Sequence, residues 1–85
     1  MTRTVKLARD IVYGLTPGEH HEKVDFQHSV MGDGESRTLH IVANGPPEIR
    51  GRLIGKEGAN SRAIGFLLQS VAKQEGISVY FNVPA

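Results

Sequence analysis

Apolar and polar residues alternate in three stretches of this chain and follow helical spacing in three others. Val5, Ala8, Ile11 and Val12 recur at helical intervals through residues 4–13, with Gly14 placed to stop that helix. Leu15-Thr16-Pro17-Gly18 reads as a turn. Val24, Phe26, His28 and Val30 then alternate with Asp25, Gln27 and Ser29, the pattern of a half-buried strand. Met31-Gly32-Asp33-Gly34-Glu35 forms a hairpin-like connection. Beyond it, Leu39, Ile41 and Ala43 share one face of a second strand, with Thr38, His40 and Val42 on the other.

Asn44-Gly45-Pro46-Pro47-Glu48 closes that strand and opens a short helix over residues 47–54, which stops at Gly55. Proline suits the first helical position, because the N–H it lacks has no partner there anyway. A longer helix runs from Ala59 to Gln74, where Ala63, Ile64, Phe66, Leu67, Leu68 and Val71 make a broad apolar face and Gly76 supplies the stop. Ile77, Val79, Phe81 and Val83 alternate with Ser78, Tyr80 and Asn82 in a last strand. The order α-β-β-α-α-β, without internal repeat, predicts an α+β fold. Three helices would pack on one face of a mixed three-stranded sheet, whose final strand runs parallel to the middle one through a right-handed crossover. At 85 residues, a single domain spanning 1–85 with one small core is expected.

Composition narrows the chemistry. The chain has no cysteine, so disulfides and thiolate metal sites are excluded and a reducing, cytoplasmic setting is favoured. No apolar run approaches the roughly 20 residues of a membrane span, and the first residues lead into charge and not into a signal-like apolar block. The net charge of +1 conceals an asymmetry: residues 1–45 sum to −1, residues 48–73 to +3, and Glu75 supplies the remaining −1. The positive segment surrounds Gly55-Lys56-Glu57-Gly58, as it would around an anion site.

Two glycines three apart allow a tight turn whose backbone can approach another backbone closely. The second glycine stands at the start of a helix, where N–H groups and the positive dipole end favour an anion, and Lys56 sits inside the turn. Gly51-Arg52-Leu53-Ile54-Gly55-Lys56-Glu57 is superficially similar to a nucleotide-binding P-loop, but it has one residue too few between its glycines. It also carries Glu57 where a Mg²⁺-binding hydroxyl belongs. His20 and His21 are adjacent in a loop and His28 and His40 fall on a strand pair, so no metal-ligand spacing emerges. No catalytic constellation can be assembled either. A binding protein without cofactor or metal is expected, and not an enzyme. The few aromatics form no paired stacking platform, which argues against a stacking-dominated binding surface.

The run Gly51-Arg52-Leu53-Ile54-Gly55-Lys56-Glu57-Gly58-Ala59-Asn60-Ser61-Arg62-Ala63-Ile64, set in this element order, resembles the signature of the type II KH domain. Among KH proteins the chain looks closest to the small bacterial single-KH proteins of the KhpA type. The resemblance implies single-stranded RNA binding, with the glycine loop clamping the backbone of about four nucleotides while bases lie over an apolar groove. Gly55 and Gly58 would give close approach, Lys56 would meet phosphate, and Glu57 would point to solvent. Arg52 and Arg62 would reach phosphates, although each also reads as a solvated surface cation. Ile54 would floor the groove, with Ile64 beside it or in the core, and Asn60 would read a base edge or cap a helix. Ser61 departs from the aliphatic residue common at its position. Gly65 replaces a longer side chain, with close packing against the sheet as its simplest reason. The implied role is an RNA chaperone or post-transcriptional regulator. The alternative is a KH-fold adaptor that pairs with itself or with a larger KH protein.

Overall fold

The computed structural model describes residues 2–84. Helix α1 (Thr2–Leu15) leads through a 3-10 turn (Gly18–Lys23) into strand β1 (Asp25–Met31), and a tight connection returns the chain as β2 (Thr38–Asn44). Helices α2 (Pro47–Ile54) and α3 (Ala59–Gln74) then carry it across to β3 (Ser78–Asn82). The strands lie in the order β1-β2-β3, with β1 antiparallel and β3 parallel to the central β2. The α+β architecture expected from the periodicities is the one observed.

Register explains the core. Phe26 pairs with Ala43, Val30 with Leu39 and Ile41 with Phe81, so these side chains share the face that meets the helices. Leu39, Ile41 and Ala43 on the central strand are fully enclosed, whereas β1 at the edge leaves all its residues but Phe26 exposed. Leu39 and Ile41 join Ala8, Ile64, Leu68, Ala72 and Ile77 in one cluster, and Ala43 joins Val12, Ile49 and Leu53 in a second. The second cluster bears on function, because Ile49 and Leu53 fix α2 and therefore the loop that follows it. Burying a leucine or isoleucine stabilises by about 1.5–3 kcal/mol, which outweighs the weak amphipathicity of so short a helix.

Three local expectations are corrected. Gly14 does not stop α1, which runs on to Leu15; Gly14 has no left-handed backbone and is an ordinary helical residue. The stop comes from side chains: Thr16 Oγ1 donates to the Val12 carbonyl at 2.8 Å, and His21 Nε2 lies 2.9 and 2.8 Å from the Tyr13 and Thr16 carbonyls. His20 and His21 therefore belong to a 3-10 turn that packs under α1 and not to an open loop. His28 and His40 do not face each other either, because His28 pairs with Ile41 and His40 with Ser29, on opposite faces of the sheet. At its other end, α1 is tied to the end of α3. The Thr4 backbone N–H and hydroxyl both donate to Glu75 Oε1, at 2.8 and 2.6 Å, serving a helix start whose N–H groups have no helical partner. Gly76 follows with φ 74°, as a glycine stop requires.

The apolar face of α3 is also narrower than its composition suggests. Ile64, Leu68 and Ala72 point inward, while Ala63 lies exposed, Leu67 is 51% exposed and Phe66 is 74% exposed.

Candidate functional site

The junction between α2 and α3 is a turn that only particular residues can make. Gly55 takes φ 74° and ψ 177°, a region that is essentially closed to residues with a Cβ. Gly58 takes φ 78° and ψ 14°, in the left-handed region. Glu57 between them, at φ 57°, is alone among the described non-glycine residues in having positive φ. A left-handed conformation costs such a residue about 1–2 kcal/mol. Strain of this kind persists where the surroundings over-determine it, and here they do.

The surroundings are Asn60, Ser61 and Arg62, the first residues of α3. Asn60 Nδ2 donates to the Arg52 carbonyl at 2.8 Å, closing the end of α2. Its side chain lies so near Gly55 that a Cβ there would sit 2.7 Å from Asn60 Cγ. Ser61 Oγ donates to the Gly58 carbonyl at 3.1 Å, and Arg62 Nη1 donates to the Glu57 carbonyl at 2.6 Å. The Gly58 N–H closes on the Gly55 carbonyl at 3.2 Å, and the Ala59 N–H closes on Lys56 O. Five carbonyl oxygens between Arg52 and Gly58 are thus engaged within the loop. With these carbonyls committed inward, the groups exposed at the rim are the side chains of Lys56 and Glu57.

The residues singled out in the sequence come together in part. Arg52, Lys56 and Glu57 are exposed around the loop, and Ile54, Gly55 and Gly58 are half-buried beneath it. Ile64 is core, at 3% exposure. Of the two roles open to Asn60, the structure shows a cap, applied to the preceding helix and not to its own. Arg62 is held against the loop backbone, so its position is fixed from within the protein. Arg50 is drawn away to the Gly45 and Pro84 carbonyls, at 3.1 and 3.4 Å. Gly65 is not required by packing, since a Cβ there would meet nothing within 4 Å. It lies one turn from Ser61 on the same side of α3, so that side is smooth and open. Gln69, one turn further, accepts from the Val79 backbone N–H at 3.3 Å and ties α3 to the edge of β3. The helical pattern hid Phe66, which the sequence assigned to the core.

Set against known proteins, the fold has a counterpart. A solved structure of a point variant of Era from Aquifex aeolicus, bound to GDP·AlF4−, matches 94% of this chain with a TM-score of 0.67 at 15% sequence identity. The chain spans 29% of that longer protein, and the likeness is to the KH domain of that GTPase. The fold is KH-like. No protein-family profile matches the sequence, and no curated protein does. In the KH-like frame, the Gly55–Gly58 turn stands between the two consecutive helices. Among the described residues no group of three His, Cys, Asp or Glu side chains could hold a metal ion, and no helix is long and apolar enough to cross a membrane.

Proposed function

We propose that this chain binds short single-stranded RNA through the Gly55–Gly58 loop, as a one-domain KH protein of the small bacterial type. The observation that carries the reading is the loop itself. It is a strained turn, pinned by the next helix, with its carbonyls committed inward and Lys56 exposed at its rim. Such a turn suits a sugar-phosphate backbone, which needs close approach and positive charge but no deep pocket. Gly55 and Gly58 admit the backbone, Lys56 and Arg52 neutralise phosphate, and Ile54 offers apolar surface to a base. Glu57 turns its side chain to solvent, while Asn60 and Arg62 hold the loop in shape. A single domain with so few contacts binds modestly, which fits an RNA chaperone or post-transcriptional regulator acting in the cytoplasm on many transcripts.

The test is a double substitution, Lys56→Asp with Glu57→Asp. It replaces the Lys56 ammonium with a carboxylate and draws the carboxylate already at position 57 closer to the backbone, where aspartate tolerates the left-handed conformation. Binding to an unstructured oligonucleotide should collapse while the thermal midpoint stays within a few degrees of the parent. A folded double variant that binds like the parent removes the clamp. A second reading, a KH-fold adaptor that pairs with itself or with a larger KH protein, draws support from Ala63 and Leu67, apolar and exposed on α3.

A further inference from the structure

A phenylalanine three-quarters exposed in the middle of a helix calls for a physical account. Phe66 is 74% exposed and belongs to neither core cluster. Positions 62, 66, 69 and 73 succeed one another at intervals of four, three and four, so Arg62, Phe66, Gln69 and Lys73 form one stripe along α3. At 1.5 Å per residue, Phe66 lies about 6 Å beyond Arg62 along the helix axis, and Lys73 about 16 Å beyond it. The near end of the stripe is joined to the glycine loop, because Arg62 donates to the Glu57 carbonyl. At the far end, Gln69 and Lys73 line an open hollow of about 300 Å³ with Gly76, Ile77 and Ser78. From Ala59 to Gln74 the helix carries cations and amides but no carboxylate.

We propose that Phe66 is a base-stacking platform, flanked by Arg62 and Lys73, that carries a bound single strand beyond the glycine loop toward the Gln69–Lys73 hollow. The inference rests on the RNA reading above and extends it from the loop's own few nucleotides to a longer strand. An exposed ring between two cations has the chemistry of a single-strand track: every base has a face to stack, and the backbone on either side is anionic. Exposed Ala63, three residues before Phe66, and Leu67, about 100° further round, lie on the other flank of the ring, so Phe66 stands at the border between the cationic stripe and a small apolar one. This placement also amends the expectation that binding is not dominated by stacking.

The experiment compares unstructured RNA oligonucleotides of about four and eight nucleotides, the shorter matching what a KH loop clamps. Phe66→Ala should weaken binding of the longer strand about 5- to 100-fold and leave the shorter nearly unchanged. Because Phe66 is exposed, the variant should fold as the parent does. Phe66→Trp should keep the affinity, and as the chain has no other tryptophan, its emission should be quenched by the longer strand alone. Sedimentation of each free protein is measured in parallel. Unchanged affinity for the longer strand in Phe66→Ala overturns the platform. So does a variant that only dissociates an oligomer while each protomer binds as before, which would give Phe66 to a protein partner. The Lys56→Asp, Glu57→Asp variant judges the loop separately, so a failed clamp and a failed platform are distinguishable.

Discussion

Two turns in this protein are built on paired glycines, and only one has the makings of a binding site. In the β1–β2 connection Gly32 and Gly34 take φ values of 86° and 58°, and a Cβ on Gly32 would run into the Ser36 carbonyl. That turn closes on its own backbone, through the Ser36 N–H and the Asp33 carbonyl at 3.1 Å, and carries acidic residues. In the α2–α3 connection Gly55 and Gly58 take similar φ values, 74° and 78°. Here side chains of the following helix hold the turn, through Asn60 at 2.8 Å and Arg62 at 2.6 Å, and the local charge is positive. Glycine spacing therefore permits a tight turn in both places. The latch from α3 and the surrounding cations separate a connector from a candidate clamp.

The comparison can be broken most forcefully at Gly55. Gly55→Ala meets both a Gly-only backbone conformation and Asn60, with Cγ 2.7 Å from the new Cβ. A loss of about 2–4 kcal/mol is expected in chemical denaturation, from backbone strain and overpacking together. RNA binding should fall with it. Asn60→Ala is gentler. It removes one hydrogen bond to the Arg52 carbonyl and should cost about 1 kcal/mol, yet reduce binding out of proportion because the loop loses its pin. Equal losses of stability and binding would make Asn60 an ordinary cap. Smallest is Gly34→Ala in the other turn, where a Cβ would meet open space and only the φ of 58° is unfavourable. It should cost about 1 kcal/mol and leave RNA binding untouched. Impaired binding would show that the β1–β2 turn also touches the ligand.

Much of this was legible in residue order, for reasons that differ by element. The strands announced themselves because a two-residue period on β2 maps directly onto buried Leu39, Ile41 and Ala43. The bounds of α2 and α3 followed from Pro47, Gly55 and Gly76, each doing local work that needs no partner. What escaped depended on distant groups. The end of α1 is made by His21, eight residues beyond Tyr13, and no helical pattern reports that bond. The 3-10 turn at Gly18–Lys23 has no apolar period to announce it. Within α3 the apolar residues cluster so densely that periodicity could not separate buried Ile64 and Leu68 from exposed Phe66 and Leu67. In the site, residue types were readable but assignments were not. Asn60 and Arg62 turn toward the loop's own carbonyls, a choice fixed only once α2 and α3 meet.

The central claim is that phosphate is neutralised at the Gly55–Gly58 loop, and a salt titration tests it without risk to the core. With Arg52, Lys56 and up to two neighbouring groups engaged, about two to four phosphate contacts are expected. The log–log slope of affinity against salt for an unstructured RNA should then be roughly −1.5 to −3, at about −0.7 per contact. In Lys56→Ala the slope should become shallower by up to about one unit, with the thermal midpoint unmoved. A folded Lys56→Ala variant with the parent's slope would place the phosphates elsewhere and contradict the account.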